Sequence, residues 1–451
     1  MNDLTQPGVT QDTLTQLHEK LASKSLDRVR DLLSEMHPSE VADFLESLPG
    51  KSRETIWNLL ELDKEGDVLA HLQDAVRSEL LEQMHPHEVA AATRDLETDD
   101  VADIIQDLPE NVQDSVLLSM DEQNRLRLAS VLSYPEDTAG GLMNTDVIPI
   151  RADVTLDVVV RYLRRVENIP EKTDNLMVVD RENLYLGTLS MIDILIRDPE
   201  EFVGDIMKGE TGISADLSDK EVAKIFEQRD WISAAVIDEQ GVLLGRITVD
   251  DVVDVIQEDA EQTVRSMAGL GDDDMFAPIF TSTRRRAVWL GINLATAFLG
   301  AWVIGRFEDT IQQLVALAVL MPIVAGMGGV AGSQTLTIAI RGIALGQLGK
   351  SNARALMLKE TAVGLLNGLM WACVVSVIVI FWFGNVSLGF IIALAMIVNL
   401  LVAALAGAVI PLGLKRYGID PAIAGSVLLT TVTDVVGFMT FLGLASIFLV
   451  S

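Results

Sequence analysis

Residues Ser426–Phe438 read "SVLLTTVTDVVGF" and place one carboxylate, Asp434, in the middle of a long apolar run. The run from Pro421 to Val450 exceeds the roughly 20 residues a helix needs to cross a bilayer. An ionised aspartate facing lipid costs several kcal/mol, so Asp434 is expected to face a cavity or a partner. Ser426, Thr430 and Asp434 recur at every fourth position and share one helix face. At about 100° per residue Asp420 returns close to that face, roughly 21 Å away along the axis. One stripe therefore carries an acid at its start, hydroxyls between, and an acid deep in the bilayer. No Lys, Arg or His lies inside any apolar segment, so a cation from solution is the natural partner for Asp434. The alternative is a protonated Asp hydrogen-bonded between helices.

Working outward, four more segments are long and apolar enough to span: Ala287–Gly305, Ile311–Ile340, Thr361–Phe383 and Val386–Leu414. Basic residues sit before the first span (Arg284–Arg286), between the second and third (Arg341, Lys350, Arg354, Lys359) and between the fourth and fifth (Lys415, Arg416). By the positive-inside bias these loops face the cytoplasm, which puts the N-terminal half inside and the C-terminus outside. The second span reads "MPIVAGMGGVAGSQTLTIAI". Its Pro322, Gly326, Gly328, Gly329 and Gly332 are expected to weaken or break the helix, offering carbonyls to a cation. Close helix packing through small residues is the alternative.

Charge divides the chain in the same place. Of 451 residues with a net charge of −31, only 10 basic and 5 acidic residues lie from Arg284 onward, leaving 24 and 60 before it. An acidic half argues against nucleic acid or anionic lipid and suits cations, or simply solubility. The single Cys373 excludes an internal disulfide framework and a multi-thiolate zinc site. The start "MNDLTQPGVTQ" is not expected to be a signal peptide. No nucleophile–base set or phosphate loop points to an enzyme.

Two repeats organise the acidic half. "MHPSEVADFLESLP" (Met36–Pro49) is echoed by "MHPHEVAAATRDL" (Met84–Leu96) and "DDVADIIQDLP" (Asp99–Pro109), short amphipathic helices repeated as in a solenoid. His37 and His85 precede Pro and are expected at helix starts, in a structural role before a metal one. Further on, "NLMVVDRENLYLGTLSMIDIL" (Asn175–Leu195) and "SAAVIDEQGVLLGRITVDDVVDVI" (Ser233–Ile256) each read as strand, acidic turn, strand with Gly, helix. Carboxylates crowd Asp99, Asp100 and Asp103, and again Asp250, Asp251, Asp254, Glu258, Asp259 and Glu261. Such density repels unless it is screened or bridged, and hard oxygen ligands suit Mg²⁺; a solvated acidic face is the alternative.

The second repeat resembles a tandem pair of CBS modules through Gly187–Asp193 and Gly245–Asp251. That resemblance implies weak nucleotide contacts at Ser190, Asp193, Thr248 and Asp251, with ATP as the candidate regulator. The chain as a whole resembles the MgtE-type magnesium channel family, most specifically in "PEDTAGGLM" (Pro135–Met143), "MPIVAGMGG" (Met321–Gly329), "RGIALGQL" (Arg341–Leu348) and "GIDPAIAGSVLLTTVTDVVGF" (Gly418–Phe438). The expected organisation is a multidomain membrane protein: an all-α N-domain (1–135), an α/β CBS pair (136–262, split near 203/204), a connecting plug helix (263–283) and a five-helix membrane domain (284–451).

The resemblance implies a homodimer in the inner (cytoplasmic) membrane with a pore on its two-fold axis, lined by the second and fifth spans, including Gly328, Gly329, Ser426 and Thr430. It implies that Asp434 binds hydrated Mg²⁺ and that Asp420 guards the cytoplasmic mouth. It carries Mg²⁺-sensing roles to Asp99, Asp100, Asp103, Asp230, Asp251, Asp254 and Asp259. Bridging ions would draw the acidic domains together and close the pore. Two departures from the family pattern stand out: Val330 where an Asn is usual, and Gln262 and Thr263 where acids are expected. Two other classes stay open, a secondary transporter of Co²⁺ or Mn²⁺ and a nucleotide-sensing membrane protein.

Overall fold

The computed structural model describes residues 26–166, 169–170, 172–268, 270, 279–349 and 351–449. The chain divides into two compact units near Asp259–Ala260.

The first unit opens on short helices: α1 (Leu26–Glu35), α2 (Pro38–Glu46), α3 (Gly50–Trp57), α4 (Glu65–His71), α5 (Asp74–Leu81), α6 (Pro86–Ala92), α7 (Thr98–Gln106), α8 (Glu110–Ser119) and α9 (Glu122–Val131). The "MHP-x-E" repeat is a helix start. His37 and His85 are N-caps, a proline takes the first helical position, and Glu40 and Glu88 each accept the capping residue's backbone N–H, at 3.0 and 2.7 Å. Both histidines thus hold the structural position expected of them. The helices bury Phe44, Leu45, Leu48, Ile56, Leu69, Leu80 and Ile104, each contributing about 1.5–3 kcal/mol on leaving water. One charge joins this core. Arg53, 1% exposed, donates to the Leu45 and Leu48 carbonyls at the end of α2, at 3.2 and 3.1 Å, and pairs with Glu79. A cation at a helix C-terminus with its donors satisfied is tolerated where a bare one would not be.

Two matching modules follow. In the first, β1 (Pro149–Arg151) pairs parallel with β2 (Asn175–Val179), which pairs antiparallel with β3 (Tyr185–Ser190); α10 (Leu156–Leu163) and α11 (Met191–Ile196) flank them, and α12 (Val203–Ile206) follows. In the second, β4 (Ile213–Ser214), β5 (Ser233–Ile237) and β6 (Leu243–Thr248) repeat the order, with α13 (Asp219–Arg229) and α14 (Val249–Met267). The registers coincide: Val178 faces Gly187 as Val236 faces Gly245. Gly187 is obligatory twice over, since its φ is +154° and a Cβ would lie 2.1 Å from the Lys208 carbonyl oxygen. One continuous apolar core runs from the N-terminal helices through Ala139 and Met143 into Ile213, Val222, Val236, Ile247 and Val252 of the second module. The first module has a core of its own around Ile150, Leu156, Val178 and Leu189. The helix expected to begin anew at Thr263 does not: α14 runs unbroken from the second module to Met267. Its sequence offers no Gly or Pro before that point. The remainder of that connecting stretch, 269 and 271–278, lies outside the described residues.

The second unit holds α15 (Ile279–Gly305), α16 (Glu308–Gln313), α17 (Ala316–Ala344), α18 (Ala353–Phe383), α19 (Val386–Arg416) and α20 (Pro421–Leu449). All but α16 are long and apolar enough to cross a membrane. The spans differ from the expected bounds at the first, second and third: α15 begins at Ile279 rather than Ala287, a break at Leu314–Val315 separates α16 from α17, and α18 begins at Ala353 rather than Thr361. α19 is the hub, packing on α17, α18 and α20. The broken second span is not found, because α17 continues through Pro322 and the glycines. A proline forfeits one ladder bond, whereas unwinding would orphan several backbone groups in an apolar setting. Gly328 and Gly332 serve packing instead: a Cβ on each would lie 2.2 Å from Asn399 Nδ2 and 2.8 Å from Leu429 Cδ1. Gly328, expected on a pore wall, is thus buried between α17 and α19, while Gly329 has open space beside it.

Candidate functional site

The first candidate site joins two helix N-termini. Glu97 is the N-cap of α7, and Asp99 and Asp100 occupy its first turn. Each offers an oxygen, and the three oxygens lie within 4.8 Å of one another. The positive end of the α7 dipole favours anions here. Asp250 and Asp251 open α14. Thr248, buried at the end of β6, donates its backbone N–H to Asp251 Oδ2 at 2.9 Å. Its hydroxyl lies 2.5 Å from Asp250 Oδ1 and 3.1 Å from Asp251 Oδ2, so one proton serves two acids. Asp99 is 7% exposed and its Oδ1 has no hydrogen-bond partner. Two basic groups reach the rim: Lys172 pairs with Asp250, and Arg246 lies 3.6 Å from Glu97.

The electrostatics are those of crowded, poorly hydrated acids. Burial, then the charge of Asp250, pushes Asp251 up to about 7. Burial, then Glu97, pushes Asp100 up to about 6. Burial, then Asp251, holds Asp99 well above the usual carboxylate range. Asp254, one turn along α14, is raised by burial against the opposing pull of His71.

The expected sensing residues do not form one set. Asp99, Asp100 and Asp251 come together, with Asp254 beside them. Asp103 belongs to a neighbouring group around Arg77, which holds Asp107 at 2.5 Å and Asp74 at 2.9 Å; burial pushes Asp103 up to about 7 despite that guanidinium. Asp259 pairs with Lys220. Asp230 is exposed and caps the end of α13 in the left-handed conformation at φ 52°. Sequence reasoning missed Glu97, whose role depends on where α7 begins, and noted Asp250 only as part of an acidic run. Of the expected nucleotide contacts, Ser190 caps α11 through Ile192 N at 3.2 Å and Asp193 reaches Arg197 at 3.4 Å. Thr248 and Asp251 are engaged with each other inside the acid cluster.

The second candidate site is in α20. Asp420 Oδ1 accepts the Ala422 N–H at 2.8 Å and so caps the helix. Thr430 donates to the Ser426 carbonyl at 2.9 Å, leaving its hydroxyl lone pairs open to a ligand. Asp434 is half-buried and has no hydrogen-bond or ion-pair partner among the described residues. Two buried polar side chains in this unit escaped the sequence reading. Asn399 on α19, 0% exposed, donates Nδ2 to the Val324 carbonyl of α17 at 2.8 Å, while its Oδ1 stays unpartnered. Glu360 on α18, 4% exposed, accepts from Thr335 at 3.0 Å. Val330, in place of the usual amide, is 58% exposed.

Together the fold and sites define a multi-pass membrane protein that carries a CBS pair and two groups of oxygen ligands. Three family models match: the divalent cation transporter MgtE over residues 321–444, the MgtE intracellular N domain over 36–137, and CBS domains over 139–200 and 203–258. Magnesium transporter MgtE of Bacillus subtilis is 30% identical over 423 residues, covering 93% of this chain and 94% of that protein. Magnesium transporter MgtE of Thermus thermophilus is 30% identical over 442 residues, 96% of this chain and 98% of its own. A crystal structure of the cytosolic domain of the Mg²⁺ channel MgtE in complex with ATP aligns with a TM-score of 0.49 and 31% identity, over 54% of this chain and 99% of that one. The chain belongs to the MgtE family.

Proposed function

We propose that this protein admits Mg²⁺ down its electrochemical gradient through the membrane unit and is closed by Mg²⁺ binding to its acidic half. The observation that carries the transport reading is Asp434, a carboxylate within a spanning helix with no protein partner among the described residues. Such a group faces a cation path or a proton by default, and no basic side chain competes for it. Near full-length kinship with proteins named magnesium transporters selects the cation. Mg²⁺ dehydrates reluctantly, which favours a site that holds the ion through water and few carboxylates. We place α17 and α20 along the path, Asp420 at its cytoplasmic mouth, and the N-terminal half in the cytoplasm, in a homodimer.

Gating follows from the first site. At low Mg²⁺, Glu97, Asp99, Asp100, Asp250 and Asp251 repel one another across α7 and α14; a divalent ion between them removes that repulsion. Asp434→Ala in a strain lacking its own Mg²⁺ uptake should fail to restore growth at low Mg²⁺ although the protein reaches the membrane. Full uptake by that variant would sink the reading. Single-channel currents would support a channel, and saturable gradient-coupled flux a carrier.

A further inference from the structure

The acid cluster already holds a cation of its own. Lys172 Nζ is bonded to Asp250, and its charge also acts on Glu97, Asp100, Asp251 and Asp254. Lys172 sits at φ 57°, the left-handed region that a residue with a Cβ rarely adopts. The residues after it are pinned: Thr173 accepts from Arg246 at 3.3 Å and donates to the Pro170 carbonyl at 2.5 Å, and Asp174 accepts from Ser233 at 2.5 Å. The buried, unpartnered Oδ1 of Asp99 shows, independently, that the cluster has ligand capacity the protein does not use.

We propose that Lys172 is a tethered competitor for the divalent cation: its ammonium occupies Asp250 when the cluster holds no ion and must withdraw when Mg²⁺ binds. This rests on the acid cluster being the Mg²⁺-sensing site. An ammonium and a hydrated Mg²⁺ ask for the same carboxylate lone pairs, but the ammonium is single-charged and held at fixed effective concentration by its chain. Lys172 therefore sets the Mg²⁺ concentration at which the cluster fills, raising it above what the acids alone would give.

The test uses the full-length protein in nanodiscs, titrated with MgCl₂ and followed by protection of the N-terminal half from chymotrypsin. Lys172→Gln should reach half-protection at a Mg²⁺ concentration lower by on the order of tenfold. Lys172→Arg, which keeps the charge, should stay within about twofold of the parent. Asp251→Asn reports on the sensing site itself and should blunt protection. If the parent responds and Asp251→Asn blunts it, yet Lys172→Gln is unmoved or shifts to higher Mg²⁺, the competitor role is wrong and the sensing site stands. If the parent shows no Mg²⁺-dependent protection, the sensing reading falls and the competitor role with it. Lys172→Met gives the same uncharged comparison should the Gln variant fold poorly.

Discussion

The two candidate sites use one functional group in opposite ways. In the first unit, acids are massed at two helix N-termini, dehydrated, and partly answered by Lys172 and Arg246. In α20 a single carboxylate stands alone, with threonines on the turn before it and an apolar turn after it. Massed carboxylates make a site whose occupancy depends on concentration, since emptying it restores repulsion. A lone carboxylate makes a site an ion can leave, as a conduction path requires.

The contrast can be broken at several points. The largest effect is expected at the lone acid. Asp434→Asn keeps the shape and removes the charge, and should cut Mg²⁺ uptake into proteoliposomes by roughly two orders of magnitude if that charge supplies about 3 kcal/mol of attraction. Retained uptake would mean the conduction site lies elsewhere. Next, Asp99→Asn with Asp251→Asn should raise the half-inhibitory Mg²⁺ concentration by about tenfold or more while leaving maximal flux intact; an unchanged threshold would separate the cluster from gating.

A smaller effect is expected from pH. Asp251 sits near 7 and Asp100 near 6, both above the unfolded value near 3.8. The folded protein therefore binds more protons than the unfolded chain between about 4 and 7, and these groups destabilise it increasingly as pH rises through that window. Without Mg²⁺, thermal unfolding of the N-terminal half should occur at a higher temperature at pH 6 than at pH 8. Saturating Mg²⁺ at pH 8 should erase the difference. A Mg²⁺-independent difference would contradict the site. The smallest change is expected at Asn399→Leu, which loses the bond to the Val324 carbonyl: about 1 kcal/mol and a melting temperature lower by about 2–4 °C. No shift would show that this amide contributes nothing to the α17–α19 contact.

Much of this architecture was legible in the chain itself. Hydropathy marked the five spans because a bilayer imposes a length and an apolar composition. The strand–turn–strand repeats resolved as equal sheets because alternation and turn residues are local signals. The unbroken α17 was legible in the packing alternative that its glycines also offered: Pro322 and the glycines carry penalties measured in water, whereas the apolar surroundings here favour an intact helix. Glu97 was missed because its meaning lies in a helix boundary, and Lys172 because 78 residues separate it from Asp250. Asn399 was missed because what surrounds it, Gly328 of α17 and Gly437 of α20, lies far from it in the chain.

The apolar core shared by the N-terminal helices and the second CBS module bears on all of this. It holds together the same stretch of protein that the acids push apart. Apolar cohesion barely responds to monovalent salt, while repulsion between partly exposed carboxylates fades over a Debye length of about 8 Å at physiological ionic strength. The two forces oppose each other, and only the electrostatic one answers to ionic strength. A change of monovalent salt alone would thus alter the balance within this stretch.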